Sequence, residues 1–299
     1  MTAGPPSPDG TRGRAQALAA PLPPLLAEAD RLVANVAFGE HGRRRAGQGD
    51  EFWQYRAARP GDPAGRVDWR RSARSDAHFL RETEWQAAQS VAFWVDGAQA
   101  MAFSGRRGRP EKGDRARLLA LALATLLIRG GERVGLADGL VTPRAGRLQL
   151  HRMATALDSA PEARSDGDYG RPDATALPPH SRVVFLSDFL GPPEAVERAV
   201  TTAADRGVKG TLLQILDPDE EAFPYDGRTV FESMGGGLRF ETMRAGDLRA
   251  RYRARLAERR DRLTALAARA GWRFGVHHTD AAALTGLTWL FGALAPTVR

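Results

Sequence analysis

Three short apolar runs constrain the fold of this chain more than anything else in it. Ser90–Val95 (SVAFWV), Arg182–Ser187 (RVVFLS) and Gly210–Leu216 (GTLLQIL) are too short for helices and too uniformly apolar for one-sided strands. Such runs suit strands buried on both faces. Helical patterns lie between them: Asp114–Arg129, Leu148–Leu157 and Pro193–Arg206, with Gly207 where a C-cap belongs. Strands that alternate with helices build βα units and a mostly parallel sheet. Further elements follow this pattern. Glu132–Ala137 reads as a strand, Thr229–Thr242 as a hairpin turning at Gly235-Gly236-Gly237, and Asp247–Ala270 as a long Arg-rich helix. Trp272–His277 reads as a last strand and Ala281–Leu294 as a final helix.

The 299 residues divide into three stretches. Residues 1–21 are rich in Pro, Gly and Ala and read as a disordered tail. Residues 22–85 hold an amphipathic helix over Pro23–Phe38, then a segment dense in Arg, Gly and Asp with Phe52, Trp53, Tyr55 and Trp69 interspersed. That segment reads as loop-rich with short strands, its Asp62 and Asp68 pairing with Arg56, Arg66 and Arg74, and Trp69 anchoring it on the core. Residues 86–299 hold the α/β domain.

No cysteine is present, which excludes disulfides, thiol nucleophiles and cysteine-ligated zinc. The longest apolar run, Leu118–Ile128, falls well short of the roughly 20 residues of a membrane span. With no signal peptide visible, the expectation is a cytoplasmic protein. The formal net charge is +7, and only Lys112 and Lys209 of the 43 basic residues are lysine. Residues 1–89 carry thirteen Arg against eleven acidic residues, which is not the one-sided balance of a nucleic-acid surface. The excess lies in 239–273, eleven Arg against four acidic residues: a solvated helix face, or a surface for an acidic protein groove, an anionic membrane or nucleic acid.

In a parallel sheet the ligand crevice opens at the carboxyl ends of the strands. Asp96 and Asp188 each follow a strand there, and Ser187 precedes the second. Two carboxylates and a hydroxyl are hard oxygen donors of the kind magnesium takes. The alternate positions after Asp96 are Ala98 and Ala100, which offer no side-chain oxygen, so any such site is degenerate. The competing reading makes both aspartates loop and helix caps. His277-His278 ends a strand and offers a metal-binding or general-base pair. No P-loop, dinucleotide fingerprint or Ser/His/Asp order is present, so no catalytic residue is assigned and the chain reads as a non-enzyme.

The block Glu51, Tyr55-Arg56, Gly61-Asp62, Arg66, Asp68-Trp69, Ser72-Ala73-Arg74 resembles the hallmark of the bacterial domain of unknown function 58 family. The order Asp96, Gly131–Leu136, Ser187-Asp188 and Asp217-Pro218 fits as well. That family is similar to von Willebrand factor A domains and is associated with MoxR-type AAA+ ATPases. The resemblance implies an α/β fold with a mostly parallel central sheet flanked by helices, behind an N-terminal loop- and β-rich extension. It also implies an adaptor role beside an AAA+ ATPase and other von Willebrand factor A-like proteins, in chaperone-like assembly or activation of a client. The family's adhesion loop, Asp-x-Ser-x-Ser, has lost both serines here to Ala98 and Ala100. No cofactor is therefore expected beyond a doubtful magnesium at Asp96, Ser187 and Asp188.

Overall fold

The computed structural model describes residues 24–34, 46–58, 67–73, 78–84, 89–159, 167–237 and 239–295. The expected tail, and Gly61, Asp62, Arg66 and Arg74 of the signature block, lie outside these residues. The described residues fall into two compact units, one of residues 24–34 with the described part of 90–294, the other of the described residues of 46–89 with Ala295.

The larger unit is the α/β domain expected from the apolar runs, a parallel central sheet flanked by helices. Strands β3 (Ser90–Val95), β4 (Arg133–Leu136), β5 (Arg182–Ser187), β6 (Lys209–Leu216) and β9 (Arg273–His278) form one sheet in the order β4-β3-β5-β6-β9. All four pairings are parallel. The chain runs from β3 outward to β4, then crosses back to β5 on the other side of β3. The sheet order therefore reverses between β3 and β5, which is where a doubly wound sheet opens its crevice.

Alternate side chains of each strand feed two cores. Val91, Phe93, Val184, Leu186, Leu213 and Ile215 pack on one face, beneath helices α1 (Pro24–Ala34), α3 (Lys112–Arg129), α4 (Arg147–Ser159) and α8 (Ala283–Leu294). Ala92, Val183, Phe185 and Leu212 pack on the other, against α5 (Pro193–Asp205) and α7 (Ala245–Ala270). Helix α3 is apolar nearly all round because it is covered on all sides by the sheet, α1, α4 and α8. On the second face Phe185 is met edge-on by Trp94 and Trp272, with ring centroids 5.5 and 5.7 Å away. The Trp272 indole is buried because its N–H donates to the carbonyl of Val208 at 3.0 Å.

The hairpin expected around the glycines is formed by β7 (Thr229–Glu232) and β8 (Arg239–Thr242). Its Phe231 stacks on Phe223, which in turn lies on Tyr252 of α7. A five-residue helix, α6 (Pro218–Ala222), was not anticipated beyond the strand end at Asp217.

The smaller unit departs from the expected short strands. β1 (Ala46–Ala57) is one twelve-residue strand, antiparallel to β2 (Phe79–Glu84). Two register shifts, either side of Phe52, break its alternation and so hide it from periodicity. Glu51 and Arg56 lie in this strand; their side chains are outside the described residues. Asp68 joins the short α2 (Trp69–Ser72) back to the sheet: its carboxylate accepts from the Tyr55 hydroxyl at 3.1 Å, and its amide donates to Phe79 at 2.8 Å. Ser72 Oγ donates to the Asp68 carbonyl and accepts from the Phe79 amide, both at 2.8 Å. The expectation that Trp69 anchors this segment fails. Its side chain is 59% exposed and meets His78 edge-on. Tyr55 and Ser72 do the stitching through hydrogen bonds instead, and Ala73 lies exposed beside them.

Candidate functional site

The strand order sets Asp96 and Ser187 side by side at the carboxyl edge, one register step past the Val95–Leu186 pair. Ser187 Oγ donates to Asp96 Oδ2 at 2.6 Å and accepts from the Phe189 amide at 2.9 Å. The other Asp96 oxygen accepts from the Ala98 amide at 2.9 Å. Asp188 accepts from the Leu190 amide at 3.0 Å with one oxygen and from Lys112 Nζ at 2.8 Å with the other. The three residues singled out in sequence are thus brought together, and all are buried: Asp96 is 3% exposed, Ser187 2% and Asp188 1%.

Lys112 is the residue that sequence reasoning missed. It begins α3, is 1% exposed, and also donates to Glu220 Oε1 at 2.6 Å. Glu220 reaches this point because α6 opens with a capping box: Asp217 accepts from the Asp219 amide, and Glu220 returns to accept from the Asp217 amide at 3.0 Å. The signal was present in the composition. Lys112 is one of only two lysines, the other being the exposed Lys209, and a compact ammonium fits a closed slot where a planar guanidinium does not.

The electrostatics follow from this burial. Burial opposes the charge on Lys112, but Asp188 and Glu220 more than offset it and hold the ammonium protonated. Burial first, and then the neighbouring Asp188, push Asp96 up from 3.8 to about 6, against the bonds from Ser187 and Ala98 and the pull of Lys112. Burial likewise raises Glu220, with Lys112 pulling the other way.

This donor set does not fit a magnesium ion. Both oxygens of Asp96 and of Asp188 already accept hydrogen bonds, and the Ser187 hydroxyl already donates and accepts. Ala98 and Ala100 supply nothing, and a fixed ammonium lies 2.8 Å from Asp188. A divalent ion would have to displace the ammonium from Asp188 or sit beside a like charge.

The crevice is also covered. Asp168 accepts from the Ala100 amide through its carbonyl at 2.9 Å and from the Gly235 amide through its carboxylate at 2.6 Å. This fastens residues 167–170 across the edge, between the loop after β3 and the hairpin turn. Gly170 presses on Asp96 so closely that a Cβ there would lie 2.2 Å from Oδ1. Gly170→Ala is therefore expected to destabilise the protein by about 1–3 kcal/mol at neutral pH, measured by urea unfolding. An unchanged midpoint would show that the segment does not bear on Asp96.

The histidine pair does not act as a unit, since successive strand residues point to opposite faces. His277 is pushed down to about 4, by burial and then by Arg115, and its neutral ring lies 2.9 Å from an Arg115 nitrogen. His278 instead contacts Glu221, which Arg260 grips with two bonds of 2.6 and 2.8 Å. Arg260 and then His278 outweigh burial and hold Glu221 near 2.

Much of the arginine excess on α7 is likewise engaged. Arg249 and Arg253 donate to the carbonyls of Phe223 and Ala222, and Arg262 pairs with Glu197 at 2.6 Å. Among the described residues, no helix is long and apolar enough to cross a membrane.

The model of the family "Protein of unknown function DUF58" matches residues 54–262. The chain belongs to the DUF58 family. This DUF58 chain is 30% identical over 232 residues to an uncharacterized protein of Mycobacterium bovis and, equally, to one of Mycobacterium tuberculosis, covering 74% of itself and 72% of each. Among solved structures it is similar to the conserved hypothetical protein BatB of Bacteroides thetaiotaomicron, at 13% identity and TM-score 0.39. It is similar also to an aerotolerance-related membrane protein of Bacteroides fragilis, at 15% and 0.41. Each likeness covers 69% of this chain and 98% of the other.

Proposed function

We propose that this DUF58 chain is a non-enzymatic, metal-independent interaction module that partners a MoxR-type AAA+ ATPase and other von Willebrand factor A-like proteins. Its work is the chaperone-like assembly or activation of a client. The observation that carries this reading is the Lys112 ammonium between Asp188 and Glu220, which neutralises the strand-end crevice from within. A crevice so filled presents no open coordination position. Its hydroxyl, on Ser187, donates to a carboxylate and accepts from an amide, with no histidine in the pair, so nothing primes it as a nucleophile. The ATPase partner comes from the family resemblance, which family membership supports.

Crosslinking in the native host, followed by capture of the tagged chain and identification of what is attached, tests the proposal. An AAA+ ATPase is expected among the attached proteins, whether the wash contains EDTA or magnesium. A capture that holds no AAA+ ATPase would overturn the assignment.

A further inference from the structure

The carboxylate cluster at the strand ends is not itself a docking surface, because Lys112 fills it and Gly170 presses on Asp96. Immediately beside it, however, lies an open groove of about 410 Å3 between the loop after β5 and the exposed side of α7. Tyr169, Leu190, Pro193, Tyr252 and Leu256 give it apolar walls. Tyr169 reaches this position because Gly191 has no side chain: a Cβ there would lie 2.6 Å from that of Tyr169.

The basic groups on the groove are not equivalent. Arg255, Arg259 and Arg262 share one face of α7 at spacings of four and three. Arg262 is paired with Glu197, and Arg255 has a 3.5 Å contact with Glu258 in which both side chains are exposed. Arg259 differs. It is half-buried, and its bonds are one-sided: a single terminal nitrogen donates to the carbonyls of Leu190 and Gly191. Those carbonyls fix the guanidinium in place without neutralising it, and no carboxylate among the described residues pairs with it. A positioned guanidinium with free N–H groups, set in an apolar wall, is a receptor for a carboxylate.

We infer that this groove docks a peptide segment of a protein partner that carries one carboxylate on an apolar background, with an apolar side chain seated among Tyr169, Tyr252 and Leu256 and the carboxylate on Arg259. Charge complementarity argues for a carboxylate-bearing protein over a polyanion. Glu258 lines the groove and Glu194 and Glu197 lie on Arg262, so a run of anionic groups is repelled and one recessed site, Arg259, is left for a single carboxylate. The inference rests on the interaction-module reading and names the partner surface for it.

Fluorescence anisotropy of a short labelled leucine- and serine-containing peptide with a single central glutamate, titrated with the intact chain, tests the docking. Arg259→Gln is expected to weaken binding about tenfold or more. Arg255→Gln, exposed and without a role in folding, is expected to weaken it a few-fold, and Arg239→Gln on β8 to leave it unchanged. The same peptide with glutamine for glutamate is expected to bind as weakly as the Arg259→Gln variant binds the acidic one. Absence of peptide binding, equal binding by both groove variants, equal binding of the glutamine peptide, or displacement by oligothymidine or phosphatidylserine vesicles would each overturn it. Captured ATPase that is retained by Arg259→Gln refutes this groove and leaves the module reading standing. Peptide binding that behaves as expected, with no ATPase captured, leaves the groove and removes the ATPase.

Discussion

Replacing Lys112 with methionine is expected to destabilise the fold by about 3–5 kcal/mol. The substitution keeps an unbranched stem of similar length but leaves the buried Asp188 and the half-buried Glu220 without their counter-charge. A protein with a total stability of about 5–15 kcal/mol would lose a large fraction of it. Lys112→Arg is expected to cost stability too, since the slot is closed to solvent on every side and shaped around an ammonium with bonds of 2.8 and 2.6 Å. Glu220→Gln in the Lys112→Met background should recover part of the loss. It removes one of the two stranded charges while an amide oxygen still accepts from the Asp217 N–H. Guanidinium unfolding of the single and double variants measures this directly. Equal stability of Lys112→Met and the parent would mean that the ammonium is not neutralising buried carboxylates.

The second large effect has the opposite sign. Asp96 has its pKa in the folded state near 6, above the unfolded value of 3.8, so the folded state binds the proton more tightly. The stability linked to that proton is full below about pH 3.8 and is lost as pH rises through about 6. At pH 7 the cost of ionising Asp96, facing Asp188 and only partly relieved by Lys112, is on the order of 2–3 kcal/mol. Asp96→Asn is therefore expected to raise the melting temperature by several degrees at pH 7 and to lose that advantage near pH 4. Its side chain can still accept from Ala98 through the oxygen and donate to Ser187 through the nitrogen. A variant less stable than the parent at pH 7, or a gain that does not change with pH, would contradict the placement of Asp96.

Much of the larger unit was legible in the sequence because burial on both faces leaves a strong local signature. Val91–Val95, Val183–Leu186 and Leu212–Leu216 have no polar alternation to misread, and Asp96 and Asp188 stand directly after two such runs. The antiparallel pair of the smaller unit was not legible, since the register shifts around Phe52 destroy the period-two pattern. Trp69 was misplaced for a related reason. An aromatic residue reads as buried on composition, yet here the Tyr55–Asp68 and Ser72–Phe79 hydrogen bonds hold the segment and leave the indole outside. Lys112 and Glu220 escaped because they are 108 residues apart and meet only through the fold. No local pattern joins the start of one helix to the capping box of another. What the sequence did carry was the rarity of the lysine itself.

The most direct test of a crevice neutralised from within is the melting temperature of the intact chain in EDTA and in millimolar magnesium chloride. A ligand that binds the folded state stabilises it by mass action. With Lys112 already paired to Asp188 and Glu220, the two melting curves should coincide. A rise of several degrees in magnesium, lost on Asp188→Asn, would show that the carboxylates hold a metal ion and that the ammonium does not take its place.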